Sequence, residues 1–191
     1  MQIPNDEIRI EFCEKLILFL SAPDFNLNFT EVEECAGMFD KLNTSNTNNQ
    51  KVLKNISKLL NKMFSRITLD VQNEATLHHL IFIIIFFSKE FRCFSEIRMA
   101  IKDPKRLDLL MLNGNLNFGI IIELKYKGTA KQGLKQIITN KYCNAFKNPK
   151  YNPDNLKIKH YVLLGVNMSE NKNITLCTLF DCKTLKNCVD Y

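Results

Sequence analysis

Three charged residues stand where an apolar chain has little reason to place them. Asp108 lies at the head of the run "RLDLLML", which starts at Arg106, and Glu123 and Lys125 lie inside "FGIIIELKYKG", which starts at Phe118. A charge inside a buried segment is costly unless it is paired or binds a metal. In a strand, residues i and i+2 project from one face, so Glu123 and Lys125 share a face. A hairpin between the two runs would bring Asp108 beside them. Two converging carboxylates repel, which favours either a shared proton or a divalent cation between them. Hard oxygen ligands completed by water and phosphate oxygens suit Mg²⁺ or Mn²⁺. A lysine beside such a site can pair with a phosphate or orient a water. These are the parts of metal-assisted phosphodiester hydrolysis.

The elements that must position this triad are legible from periodicity and punctuation. "NGN", Asn113 to Asn115, is a hairpin turn signal between strands expected over Leu107–Leu112 and Phe118–Lys125. An earlier strand is expected over Phe91–Ala100, with a turn at Pro104 between it and Leu107. A helix is expected over Ala130–Tyr142, then strands over Lys159–Met168 and Ile174–Phe180 joined by the turn "SENKN". Upstream, a long helix capped by Asp70 and ending near Phe87 contains "LIFIIIFF", which is too short to span a bilayer and reads as a helix buried on most sides. The order gives an α/β core with a central mixed sheet flanked by helices.

The residues before Asp70 read as helical. Ile8, Phe12, Leu16 and Phe19 line one face of a helix over Asn5–Leu20, and a loop follows from Ser21 to Asn28. Thr30 with Glu33 forms a capping-box signature for a helix to about Leu42. "NTSNTNNQ", Asn43 to Gln50, is polar and aperiodic and reads as a linker or mobile loop, and Lys51–Phe64 reads as a further helix. Two units are therefore expected: residues 1–50 as a helical appendage with an Asn-rich linker, and residues 51–191 as the α/β domain.

These runs and their flanks resemble the PD-(D/E)XK nuclease superfamily, in which an Asp begins one strand and (D/E)-x-K ends the next. "NEATLHHLIF" from Asn73 is similar to the helix that carries an N-terminal Glu, "FSEIRM" from Phe94 to the preceding strand, and "KQGLKQIITNKY" to the Q-x5-Y helix that follows. The pattern looks most like the nuclease-like domain found C-terminal to an AAA-ATPase-like domain, and it covers about Asp70 to Phe180. No Walker A motif occurs, so the ATPase-like half is expected to be absent or reduced to the helices before Asn43.

The resemblance implies a restriction-endonuclease-like core and a Mg²⁺- or Mn²⁺-dependent nuclease. It implies that Asp108 and Glu123 hold the metal, with the main-chain carbonyl of Leu124, and that Glu74 reaches it through water. Lys125 would position the attacking water and stabilise charge at the phosphate. Gln136 would steady the active site or the DNA backbone, Tyr142 would be structural, and Glu96 would be a strand carboxylate nearby. One position departs from the pattern: the usual Gly-Arg-x-Asp reads Lys105-Arg106-Leu107-Asp108.

Other residues invite chemistry less strongly. Adjacent on a helix, His78 and His79 point about 100° apart and cannot share a ligand, so packing or surface roles are expected. Phe82, Phe86 and Phe87 read as core. Lys127, Lys131 and Lys135 flank the triad and could meet phosphates. The seven cysteines are scattered and lack zinc spacing, and Met1–Arg9 is polar. Reduced thiols in an intracellular protein are expected.

The chain has 191 residues, 46% of them hydrophobic, with 26 Lys and Arg against 20 Asp and Glu, a net charge of +6. That balance permits a nucleic-acid partner, expected to be DNA, without demanding one. No membrane span is expected. The sequence leaves room for a protein partner on the N-terminal helices and for a homodimer. The rival to an enzyme is a catalytically silent nuclease-fold module that binds nucleic acid or a protein.

Overall fold

A computed structural model describes Lys15, Leu18 and residues 22–23, 26–68, 73–98, 105–152, 155–181 and 189–191. The helix expected over Asn5–Leu20 lies outside this set apart from Lys15 and Leu18. So do the Asp70 cap, the Pro104 turn, and Cys13, Cys182 and Cys188.

From Phe29 the described residues form the helices α1 (Phe29–Phe39), α2 (Asn46–Phe64) and α3 (Glu74–Phe86). Then follow β1 (Arg92–Arg98), β2 (Arg106–Asn113), β3 (Phe118–Tyr126), α4 (Ala130–Thr139), a 3-10 turn (Tyr142–Lys147), β4 (His160–Met168), β5 (Ile174–Phe180) and the short β6 (Val189–Asp190). The strands lie in one sheet in chain order. β3 and β4 are parallel, joined through α4, and every other neighbouring pair is antiparallel. The molecule is thus an α/β protein with a mixed sheet flanked by helices, as the element order predicts.

Strand alternation divides the core in two. Leu109, Met111, Ile120, Ile122, Leu124, Leu164 and Val166 face α1, α2 and α3 in one buried cluster. Leu110, Leu112, Ile121, Leu163 and Leu179 face α4 and the 3-10 turn, against Ala130, Leu134, Ile137 and Tyr142. α1 and α2 bury Val32, Phe39, Leu53, Ile56 and Leu60 in the same cluster as the sheet face they cover. α3 buries Leu77, Leu80, Ile81, Ile84 and Ile85; of the three phenylalanines expected in the core, Phe82 and Phe87 are partly buried against that cluster, and Phe86, also partly buried, packs on their rings. Among the described residues, no helix is long and apolar enough to cross a membrane.

The helix starts differ from the sequence expectations because asparagine side chains, which bond readily to nearby backbone, do the capping. Asn28, rather than Thr30, caps α1 by accepting the Thr30 N–H at 2.9 Å. Asn73 caps α3 by accepting the Thr76 N–H at 2.9 Å. The Asn-rich stretch is not a loop throughout, since α2 begins at Asn46. The Asn43 N–H donates to Asn49 Oδ1 at 2.9 Å, and Asn49 Nδ2 donates to the Asn43 carbonyl at 2.6 Å. Asn49 is buried, and Asn48 Nδ2 donates to the Lys41 carbonyl. The amides that make the stretch look like a linker instead satisfy its backbone. α4 stops at Thr139, short of Tyr142, and Lys141 turns the chain in a left-handed conformation (φ 54°) into the 3-10 turn.

Candidate active site

The hairpin ladder between β2 and β3 runs from Asn113↔Phe118 to Leu109↔Ile122 and stops there. By the same register, Asp108 and Glu123 come next. On the other side, β1 pairs Ser95 with Leu109 and Ile97 with Leu107, but leaves out Glu96, the position opposite Asp108. Asp108 is thus the one residue of β2 paired on neither side. Glu96 has a left-handed backbone (φ 50°), and its carboxylate is exposed, 3.6 Å from Arg106 Nη1. It does not turn toward Asp108.

Where the ladder ends, the Asp108 side chain takes over: Oδ2 accepts the Leu124 N–H at 2.7 Å. The Leu124 side chain points into the opposite core. Glu123, on the same face as Asp108, is 1% exposed. Neither of its carboxylate oxygens has a hydrogen-bond partner. The Asp108 backbone N–H and the Lys125 ammonium favour its charge from nearby, but Lys125 Nζ stands 3.7 Å from Oε1, too far for a hydrogen bond. Burial, and then the charge of Asp108, push the Glu123 carboxyl up to about 9. Burial also raises Asp108, against the opposing pull of the Leu124 N–H, Lys125 and His78. Both shifts disfavour two adjacent buried charges, so the pair favours holding a proton or a cation between its carboxylates.

Lys125, largely shielded from solvent, bridges two carboxylates. Its Nζ lies 3.4 and 3.5 Å from the oxygens of Glu74 on α3, as well as 3.7 Å from Glu123. Glu74 therefore meets the lysine instead of standing as a third ligand beside Asp108 and Glu123. Among the described residues, no group of three or more His, Cys, Asp or Glu side chains is gathered to hold one metal ion. Two carboxylates remain, one of them with no hydrogen bond to either oxygen. That donor set fits Mg²⁺ or Mn²⁺, which commonly take one or two carboxylates and complete their shell with water and substrate oxygens.

α4 seats directly behind Glu123. A Cβ on Gly133 would come within 2.9 Å of the Glu123 carbonyl, and one on Gly165, the β4 partner of Glu123, within 1.9 Å of the Ala130 carbonyl. Only glycine at both positions lets the helix backbone approach this closely. A capping box between Thr129 and Gln132 fixes the start of the helix. Tyr142 is fully buried, accepts from Asn140 Nδ2 at 3.0 Å and donates to the Arg106 carbonyl at 2.5 Å, so it holds β2 two residues before Asp108. Its structural role is as expected. Gln136 lies half-buried against the Tyr142 hydroxyl, a group close enough to Glu123 and Asp108 to feel their charge.

The flanking lysines separate. Lys127 Nζ pairs with Glu170 at 2.7 Å and lies over the Tyr126 ring, while Lys131 and Lys135 are exposed on α4. The Cys35 and Cys93 thiols are pushed up to about 12 by burial, as suits unreactive core residues.

The two histidines take the packing and surface places expected of them, and one of them also touches the site. His79 is exposed, but His78 is buried, and its Nε2 lies 3.2 Å from the Asp108 carbonyl oxygen. The signal for it is the i, i+4 spacing from Glu74, which puts both on one edge of α3. The chain matches no family model and no curated protein.

Proposed function

We propose that the protein is a metal-dependent nuclease with a restriction-endonuclease-like core, which hydrolyses phosphodiester bonds of DNA. The observation that carries this reading is Glu123: a carboxylate buried to 1% exposure, with both oxygens unpartnered, beside a second carboxylate and a lysine. A buried orphan carboxylate is expensive in a domain that only needs to fold. It makes chemical sense as a ligand kept for a cation. The Asp-then-Glu-x-Lys order and its flanking helices support the same reading.

Asp108 and Glu123 would hold the ion, with the Leu124 carbonyl as a third oxygen donor. The ion would supply Lewis-acid polarisation of the phosphate and acidify a bound water. Lys125, held between Glu74 and Glu123, would orient the attacking water and meet the charge that builds on the phosphate oxygens in the transition state. Glu74 keeps that ammonium aimed. Tyr142, with Gln136 against it, fixes the strand that carries Asp108. Lys131 and Lys135 would add phosphate contacts along the exposed side of α4.

The test combines calorimetry with Mn²⁺ and a cleavage assay on plasmid and single-stranded DNA, using wild type and Asp108→Asn. Wild type should bind Mn²⁺ in the millimolar range or tighter and cut DNA, and Asp108→Asn should do neither. Equal Mn²⁺ heats in the two proteins would refute the site. A wild type that binds Mn²⁺ and DNA but cuts nothing would make the protein a silent module of the same fold.

A further inference from the structure

We propose that His78 is a positioning residue for Asp108, replacing with an imidazole hydrogen bond the sheet pairing that Asp108 lacks. The inference rests on the reading of Asp108 as a metal ligand. Every other β2 residue from Arg106 to Asn113 is paired in at least one ladder. Asp108 has no such support, yet its carboxylate must stay aimed at the Leu124 N–H and across from Glu123. Two carbonyls near the start of β2 are instead taken by side chains from the two helical layers. Tyr142, in the α4 layer, donates to Arg106, and His78 Nε2, from α3, lies 3.2 Å from the Asp108 oxygen. A carbonyl can only accept, so the imidazole must carry its proton on Nε2.

The ring is held for this task. His78 is buried, and its plane lies 5° from that of Phe82, with centroids 6.5 Å apart. Phe82 follows His78 by four residues, and Glu74 precedes it by four, so all three share one edge of α3. That edge touches both chemical groups of β2 and β3: Glu74 grips the Lys125 ammonium, and His78 grips the Asp108 main chain. α3 thus fixes Asp108 and Lys125 relative to each other. Partners that orient a ligand in this way commonly change metal affinity 10- to 100-fold when removed.

The test uses the whole chain and three readouts. In wild type, ¹⁵N NMR of the imidazole should show a protonated Nε2; a bare Nε2 overturns the proposal. The amide proton of Leu124, bonded to Asp108 Oδ2, reports the aim of the carboxylate without any metal. His78→Leu should shift that proton upfield, speed its exchange, and weaken Mn²⁺ binding about 10-fold or more. His78→Gln, whose amide N–H can reach the same carbonyl, should restore the Leu124 signal and bring Mn²⁺ affinity to within about 3-fold of wild type. Damage in the Gln variant equal to that in the Leu variant overturns the proposal, because the ring's bulk would then be what matters. An unchanged Leu124 signal in His78→Leu also overturns it. Should His78→Leu fail to fold, His78→Asn, with an amide one methylene too short, takes its place in the same comparison. Absence of Mn²⁺ binding in wild type, with the Leu124 amide responding as described, would remove the metal reading and leave the hold on Asp108 standing.

Discussion

Replacing Glu123 by Gln should stabilise the metal-free protein, and by an amount that grows with pH. The carboxyl has an ordinary value of 4.5 and is raised to about 9 in the fold, by burial first and by Asp108 second. Between those values the folded state holds a proton that the unfolded state has released. Folding then takes up a proton, so stability is full below about pH 4.5 and declines as pH rises toward 9. The decline is about 1.4 kcal/mol per pH unit. At pH 7.5, three units above the unfolded value of 4.5, the wild type has lost about 4 kcal/mol to this one group. Gln matches the protonated carboxyl in size and in neutrality but does not titrate. Urea melts of both proteins in a chelator, from pH 5 to pH 8, should therefore give curves about 1 kcal/mol apart or less at pH 5. They should separate to about 4 kcal/mol at pH 7.5, with the variant the more stable. Adding Mn²⁺ should recover the wild type at high pH and leave the variant unmoved, because the ion takes the place of the proton. A gap that stays constant from pH 5 to pH 8 would refute the reasoning, since it would mean that Glu123 is ionised in both states or wet in both.

The remaining predictions concern chemistry and packing. Lys125→Ala should lower metal-dependent cleavage by about 10² or more with little change in DNA affinity, while Lys135→Ala should weaken DNA binding uniformly and reduce the salt slope by about one, as read from titrations at two salt concentrations. Tyr142→Phe removes the buried hydroxyl that donates to the Arg106 carbonyl and should cost about 1 kcal/mol in denaturant melts. Residues 43–50 should resist limited proteolysis, because the Asn49 side chain satisfies both the N–H and the carbonyl of Asn43 and α2 starts at Asn46. Asn49→Ala should make that stretch a preferred cleavage site, as followed by mass spectrometry of the fragments.

What the sequence settles on its own is what depends on near neighbours. The two-residue period of "IIIELKY" puts Glu123 and Lys125 on one face, and "NGN" turns the chain so that β2 returns beside β3. Apolar runs of strand length, separated by turn residues, give the order of elements along the chain and a mixed sheet. Sequence also brings forward Asp108, Glu123 and Lys125 as a group, because charge inside an apolar run is conspicuous whatever the fold. It fails where several backbone solutions are locally equal. Thr30 and Asn28 are both good caps, and an Asn-rich stretch is as ready to bond its own backbone as to remain open, so only packing against the sheet chooses. Tertiary structure alone decides the electrostatics. Glu123 is buried with no hydrogen bond to its carboxylate, and α4, whose Gly133 lies against its main-chain carbonyl, comes from residues that follow it in the chain. Lys125 is held by Glu74 and Asp108 by His78, partners 51 and 30 residues away. Such contacts leave no periodic trace in a sequence, because they depend on where α3 lands on the sheet. That placement is fixed by the sum of many apolar contacts, not by any residue near the site.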